Sequence, residues 1–291
     1  MKLTNEQKNE IRDLLQEYVS RFPSQNRAAN SLVGVSSGTL STILNGRYET
    51  ISDEMFAKIR AQISPRKSDD WVLCDTMLYK ELHTLLQDAQ QYQNVAWAIS
   101  PAGSGKSTTA ADYASKHDNA FVVSCSEDMK RGDFIRELAR VIGVNVSDMS
   151  LRTALERVTK YLLTLENPLL IFDEGDKLPD VVFYYFITIY NRLEGHCGII
   201  FISTHYIKRR MECGLSYNKK GYDEIHSRIC RKFIELTPAN SYEVAAIARA
   251  NGIEDDKTIK VVVKDAATCN FDMRRVRREV HKQKRLATLK S

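Results

Sequence analysis

The chain has no Cys-x-x-Cys pair and no histidine at ligand spacing from its six scattered cysteines (74, 125, 197, 213, 230 and 269). Neither a disulfide framework nor a zinc site is therefore expected. It also has no apolar run approaching the ~18 residues that a membrane-spanning helix needs, and Lys2 to Arg12 is polar rather than signal-like. Reduced thiols, no membrane association and a cytoplasmic setting are the expectations. No internal repeat or low-complexity tract is visible, which argues against solenoids and long disordered arrays. Charge imbalance is equally scarce: Lys and Arg total 42 against 37 acids, a net +5. That is too little to indicate a nucleic-acid partner by itself, so the placement of the charges has to carry that question.

What is present is an ordinary apolar fraction, 43%, in a chain of 291 residues, enough for two or three domains with real cores. Ile11, Leu14, Leu15 and Val19 recur at helical spacing, and the segments around them are punctuated by Pro23, Gly34 and Gly46. Nothing there alternates as a strand would. The stretch Ser64 to Asp70 joins a proline to exposed charges, as interdomain linkers do. From Trp71 onward short apolar runs (Val95–Ile99, Phe121–Cys125, Leu169–Phe172, Ile199–Ser203) alternate with helical patterns. That alternation predicts a parallel sheet covered on both faces, with ligands bound beyond the carboxyl ends of its strands. After Phe233–Leu236 the pattern is helical to the end. The expected fold class is α/β, with an all-α unit over 1–64, a core over 65–237 and a helical unit over 238–291.

Ser100-Pro101-Ala102-Gly103-Ser104-Gly105-Lys106-Ser107 follows a strand and opens a helix, with Thr108 next in that helix. It fits the P-loop pattern except that Ser100 replaces the first glycine. Gly103 and Gly105 permit the torsions that turn consecutive N–H groups onto phosphates, at a helix N-terminus whose dipole favours anions. Lys106 would meet the β and γ phosphates of ATP, and the Ser107 hydroxyl would ligate Mg²⁺. Leu169 to Phe172 is a buried strand ending in Asp173 and Glu174. Asp173 would hold the Mg²⁺ ion, and Glu174 would act as general base on the attacking water. Ile199 to Ile202 ends in Ser203 and Thr204, either of which could reach the γ-phosphate or that water.

These motifs, in this order, resemble the AAA+ ATPases, and among them the family of the phage Mu B transposition protein over nearly the whole chain. Further stretches carry the likeness: Val35 to Ser41 with Asn45-Gly46-Arg47-Tyr48, then Asp173 to Leu178, Ser227-Arg228-Ile229, and Met273-Arg274-Arg275-Val276. The resemblance implies an AAA+ core with a C-terminal helical lid behind a helix-turn-helix domain. It implies a homo-oligomeric, ATP-dependent helical filament on double-stranded DNA that delivers the target to a DDE transposase, with DNA and transposase stimulating hydrolysis. Carried over by position, Thr204 matches sensor 1, Arg274 the sensor 2 arginine of the lid, and Arg228 the arginine finger that reaches an adjacent subunit's nucleotide. Phe271 stands where relatives often have glycine.

For DNA, Ser24–Leu32, Gly34 and Ser36–Leu44 fit helix, turn and helix, offering Ser37, Thr39 and Arg47 to a duplex. A helical interaction module of the same shape is the other reading, because the second helix is poor in basic residues. Sequence-specific binding is not expected. Lys130 and Arg131, and Lys208, Arg209 and Arg210, are expected on loops that could meet phosphates, or they are merely solvated. Arg274 to Lys290 holds eight basic residues against the single acid Glu279, a face for DNA or an acidic partner, or again a solvated helix. A nucleotide-switched helix-turn-helix regulator with little turnover is the competing function. A secretion-type AAA+ ATPase is disfavoured for want of a membrane segment.

Overall fold

The computed structural model describes residues 3–63 and 71–289, so the expected linker at Ser64–Asp70, and Lys290, lie outside the described residues. The elements run α1 (Asn5–Ser20), α2 (Gln25–Ser31), α3 (Ser37–Leu44), α4 (Asp53–Ile63), α5 (Met77–Tyr92), β1 (Val95–Ile99), α6 (Lys106–Lys116), β2 (Ala120–Ser124), α7 (Arg131–Val141) and α8 (Leu151–Leu162). They continue as β3 (Leu169–Asp173), α9 (Asp180–Leu193), β4 (Gly198–Ser203), α10 (Tyr206–Ser216), α11 (Tyr222–Arg228), β5 (Phe233–Glu235), α12 (Ser241–Ala250), α13 (Asp256–Ala267) and α14 (Met273–Thr288). Two compact units emerge: residues 1–69 with 132–161, and residues 70–131 with 162–291.

In the first unit, α1 to α4 close around Ile11, Leu15, Leu40, Ile43, Phe56 and Ile59, all fully buried. Polar caps set the helix starts: Thr4 forms a capping box with Gln7, while Ser24 and Ser36 accept the N–H groups of Arg27 and Thr39. Gly34, at φ +66°, supplies the left-handed residue between α2 and α3. The helices α7 and α8 belong to this unit too. Arg27 of α2 donates from Nη1 to the Gly143 carbonyl at 3.0 Å, and its guanidinium lies 3.6 Å from the centre of the Tyr161 ring. Gly143 combines φ +72° with an approach of the Arg27 carbonyl to 3.2 Å of where a Cβ would stand, so only glycine fits there without strain.

In the second unit the five strands are parallel, in the order β2-β3-β4-β1-β5. Alternation along them sorts side chains by size. Ala96, Ala98, Ile171, Ile200 and Ile202 pack against Leu78, Leu82 and Leu86 of α5 and Tyr113 of α6. The other face is an aromatic ladder. Register aligns Phe172 with Phe201, Phe201 with Trp97 and Trp97 with Phe233. Trp97 and Phe201 stack at 4.4 Å between centroids, and Phe186 of α9 meets Phe201 edge-on at 4.8 Å. The small residues let α5 and α6 come close on one side, and the rings fill the space under α9 on the other. The carboxyl ends of β1, β3 and β4 are thereby brought to one edge. Helices α12 to α14 form a separate small core from Val244, Ile247, Val262, Val276 and Val280.

Candidate nucleotide site

A pocket of about 210 Å³ lies at that edge. Its lining includes Ala102 to Thr108 after β1, Asp173, Glu174, Asp176 and Lys177 after β3, Ser203 and Thr204 at the end of β4, and Met273, Arg274 and Arg277 of α14. The structure thus gathers Lys106, Ser107, Asp173, Glu174, Thr204 and Arg274 into one site. Pro101 contributes its backbone: the Lys106 ammonium donates to the carbonyls of Ser100 and Pro101, each at 2.8 Å, and to Ser104 Oγ at 3.2 Å.

Local backbone explains the loop. Gly103 and Gly105 have φ of +74° and +103°, and Gly105 is the residue before α6, which starts without a side-chain cap. The first N–H groups of α6 are therefore left to face an anion. Ser100, by contrast, does not have positive φ, which is why a side chain is tolerated where the motif carries glycine. Its hydroxyl is fully buried and has no hydrogen-bond partner within the protein.

Electrostatically the site is a set of opposed charges held out of water. Burial pushes the Lys106 ammonium down to about 8, with Asp173 and then Asp176 acting the other way. Burial raises the Asp173 carboxyl, opposed by a hydrogen bond with the Ser107 hydroxyl. Ser107 and Asp173 are thus side by side, a hydroxyl and a carboxylate, the hard oxygen donors that suit Mg²⁺ when phosphates and water supply the remaining ligands. Among the described residues there is no cluster of three or more His, Cys, Asp or Glu that could hold a metal ion.

Glu174 sits in left-handed backbone, φ 58° and ψ 36°, with its carboxylate 2.7 Å from Lys177 Nζ. The hydroxyl of Thr204 donates to Asp176 Oδ2 at 2.8 Å, and Ser203 Oγ accepts the Trp97 indole N–H at 2.7 Å. Of the two β4 tips, Thr204 is thus the one tied to a pocket carboxylate. The lid meets the P-loop directly. Met273 N–H donates to the Gly103 carbonyl at 2.8 Å, and the carboxylate of Asp272, the N-cap of α14, fills the space where a Gly103 Cβ would stand. Asn270 and Phe271 make the turn into α14 with φ of 52° and 57°. This is the left-handed geometry that glycine adopts without cost, now carried by a side chain that packs on the lid core.

Several lining residues carried no signal in the sequence pattern. Trp71 lines this pocket and a neighbouring, more apolar one of about 80 Å³ with Val72, Cys74, Leu78 and Ile247. It is brought there by Asn251, a buried residue at the end of α12, which accepts Val72 N–H at 2.8 Å and donates to the Val72 carbonyl at 3.1 Å. Arg277 is the helical neighbour of Arg274, and that spacing was the available clue. Its guanidinium lies 5.6 Å from the Trp71 ring centre.

Other candidates lie elsewhere. Arg228, at the end of α11, is not among the pocket's lining: it donates to Asn191 Oδ1 at 2.8 Å and to the Glu224 carbonyl at 2.9 Å, 5.0 Å from the Tyr190 ring centre. Lys208, Arg209 and Arg210 are in the first turns of α10 rather than on a loop. Lys208 is ion-paired with Glu235, and Arg209 is exposed. Arg210 is turned inward to Asp180 at 2.7 Å and lies over Phe183 at 4.2 Å, which removes it from the basic surface expected there. Arg131 begins α7, 6.0 Å from the Tyr185 ring centre, with Lys130 just before it. Ser37, Thr39 and Arg47 lie in the first unit, the first two in the opening turn of α3.

Comparison with known proteins agrees with this geometry. Residues 76–211 match the family model of an AAA domain. The chain is also similar to the Mu-like prophage FluMu DNA transposition protein B of Haemophilus influenzae, at 23% identity over 237 residues, 79% of this chain and 81% of the relative. The matched domain and this likeness together support a Mu B-like AAA+ ATPase. In this AAA+ core the P-loop and the β3 carboxylates hold the positions described above, and the similarity extends beyond the matched domain. No helix among the described residues is long and apolar enough to cross a membrane.

Proposed function

We propose that this AAA+ ATPase uses ATP to assemble on double-stranded DNA, largely without regard to sequence, and presents that DNA to a DDE transposase, hydrolysis serving to release it. The observation that carries the reading is the joint lining of one pocket by the P-loop, the β3 carboxylates and the lid arginines Arg274 and Arg277. The relative that aligns over four-fifths of its own length is a DNA transposition protein, and this supports the choice of substrate DNA.

In this reading the base of ATP lies in the apolar recess beside Trp71 and Leu78, and the phosphates lie against the loop N–H groups at the start of α6. Lys106 leaves the carbonyls of Ser100 and Pro101 for the β and γ phosphates. Ser107 and Asp173 would hold Mg²⁺, which when bound offsets charge on the phosphate oxygens. Glu174 takes the proton of the attacking water once its carboxylate parts from Lys177, and Thr204 orients that water or the γ-phosphate. Arg274 adds charge from the lid, so closure of the lid on nucleotide is coupled to the catalytic edge. Arg228 acts on a neighbouring subunit's nucleotide, which ties turnover to assembly of a filament. Phosphate contacts from α3, α7, α10 and the residues flanking them, including Ser37, Thr39, Arg47, Lys130, Arg131, Lys208 and Arg209, give sequence-tolerant DNA binding.

The test is DNA affinity of wild type and Lys106→Ala with and without ATP. Tight binding only for wild type with ATP is expected; equal, nucleotide-independent affinity of the two proteins overturns the reading. Protection of one palindrome, in place of length-dependent coverage, would favour a sequence-reading regulator instead.

A further inference from the structure

We propose that the crevice between α2, the first turn of α3 and α8 is a phosphodiester-binding groove that grips DNA through Arg157 and Arg27. The proposal rests on the DNA-binding reading above and adds to it Arg27, Asn145 and Arg157, none of which the sequence offered to DNA. The crevice measures about 480 Å³, and Asn26, Arg27, Asn30, Ser37, Asn145 and Arg157 shape it. Among the described residues, no carboxylate and no apolar side chain lines it. Pockets for small organic ligands are lined mostly by apolar groups with a few polar ones, so this wall fits a different partner. Two guanidiniums, three carboxamides and hydroxyls present hydrogen-bond donors spread over three helices and a loop. Such a spread matches a repeating anion better than a single phosphate.

The donors are also prepared. Arg27 gives one N–H to the Gly143 carbonyl and lays its face on Tyr161, which fixes the guanidinium plane while four of its five N–H groups remain for an anion. The Asn145 side-chain oxygen accepts Ser147 N–H at 2.9 Å, which leaves its amide N–H groups as donors. Arg157 is exposed on α8, whose charged residues are Arg152, Arg157 and Lys160 against Glu156 alone. Glu156 is occupied by Arg152 at 3.2 Å, so the field at Arg157 is not neutralised by its own helix. Ser37 is the one residue that the groove shares with the helix-turn-helix candidates; Thr39 and Arg47 are not part of it. DNA contact in this unit therefore draws on two separated stretches of chain, α2–α3 and the segment carrying α7 and α8.

The experiment uses the full chain with ATP and random-sequence duplex, titrated over a range of salt. Arg157→Ala should weaken binding alike on every sequence and make the plot of log affinity against log salt shallower by about one. Arg157→Glu should weaken it further, and Arg157→Lys, which keeps the charge, should restore most of the slope. Asn26→Ala with Asn30→Ala should weaken binding without changing the slope. ATP turnover without DNA should stay at the wild-type level in all four, since none of these residues lines the nucleotide pocket. If wild type binds DNA and both Arg157→Ala and Arg157→Glu match its affinity and slope, the groove is not the site and the DNA reading survives. If wild type with ATP fails to bind DNA, both fall together.

Discussion

Lys106 is caught between two demands. It must be charged to meet phosphate, yet it is mostly enclosed, and burial brings its pKa from 10.5 down to about 8. Between about pH 8 and 10.5 the unfolded chain keeps this proton and the folded chain does not. The unfolded state then binds more protons, so this residue's contribution to stability becomes more favourable as pH rises through that window; below it, the buried charge is a constant penalty. Nucleotide reverses the balance, because phosphates favour the ammonium. ATP binding near pH 8 should therefore take up a proton, and affinity should decline as pH rises above that value. Calorimetry in buffers of different ionisation enthalpy measures the uptake directly. A binding enthalpy independent of buffer at that pH, in a protein that binds ATP, would show that Lys106 is already fully charged. Lys106→Ala should abolish the uptake along with most of the affinity.

At the scale of elements, the strand-loop-helix around the P-loop was legible because each device in it is local: apolar strand, glycines at positive φ, uncapped helix start. The β3 and β4 tips were legible for the same reason, as buried runs that end in polar residues. What could not be read was long-range packing. Trp71 reaches the pocket where Asn251, remote in sequence, holds the Val72 backbone from both sides and the Trp71 ring packs on the lid core beside His281 and Arg277, and no spacing encodes those contacts. Arg210 looked like its neighbours Lys208 and Arg209, but the Asp180 carboxylate and the Phe183 ring sit on the inward side of α10. In the unit that groups α7 and α8 with α1 to α4, Arg27 meets Gly143 and Tyr161, far away in sequence, which again is not a local property. Asn251 offers the cleanest element-scale test. Asn251→Ala leaves the Val72 N–H and carbonyl without their partners, a loss of about 1–3 kcal/mol. Chemical denaturation should show that loss. ATP affinity should fall with it while the turnover of bound ATP changes little, because the wall that moves holds the base and not the phosphates. An unchanged midpoint with unchanged affinity would mean that the 71–76 segment is held in place by other contacts.

For the whole molecule the decisive residue is Arg228, because one chain alone does not bring it to the nucleotide pocket. Within the chain the guanidinium is fixed by Asn191, the Glu224 carbonyl and Tyr190, while its Nε is buried without a partner. A fixed guanidinium loses little freedom when it meets a second surface, which suits action on a neighbour's phosphates. A purely structural arginine would share these contacts, so stability alone does not separate the two roles. Mixing does. Arg228→Ala should keep ATP binding and lose DNA-stimulated turnover by a factor on the order of 10³. Glu174→Gln should bind ATP, keep its own Arg228 and be slow for a different reason. In mixed assemblies, some interfaces pair an intact Arg228 from one subunit with an intact Glu174 from the next. Activity should then rise above either parent and peak at an intermediate ratio. A flat or strictly linear dependence on the ratio, at concentrations where both proteins assemble on DNA, would assign Arg228 to its own subunit and remove the link between assembly and hydrolysis.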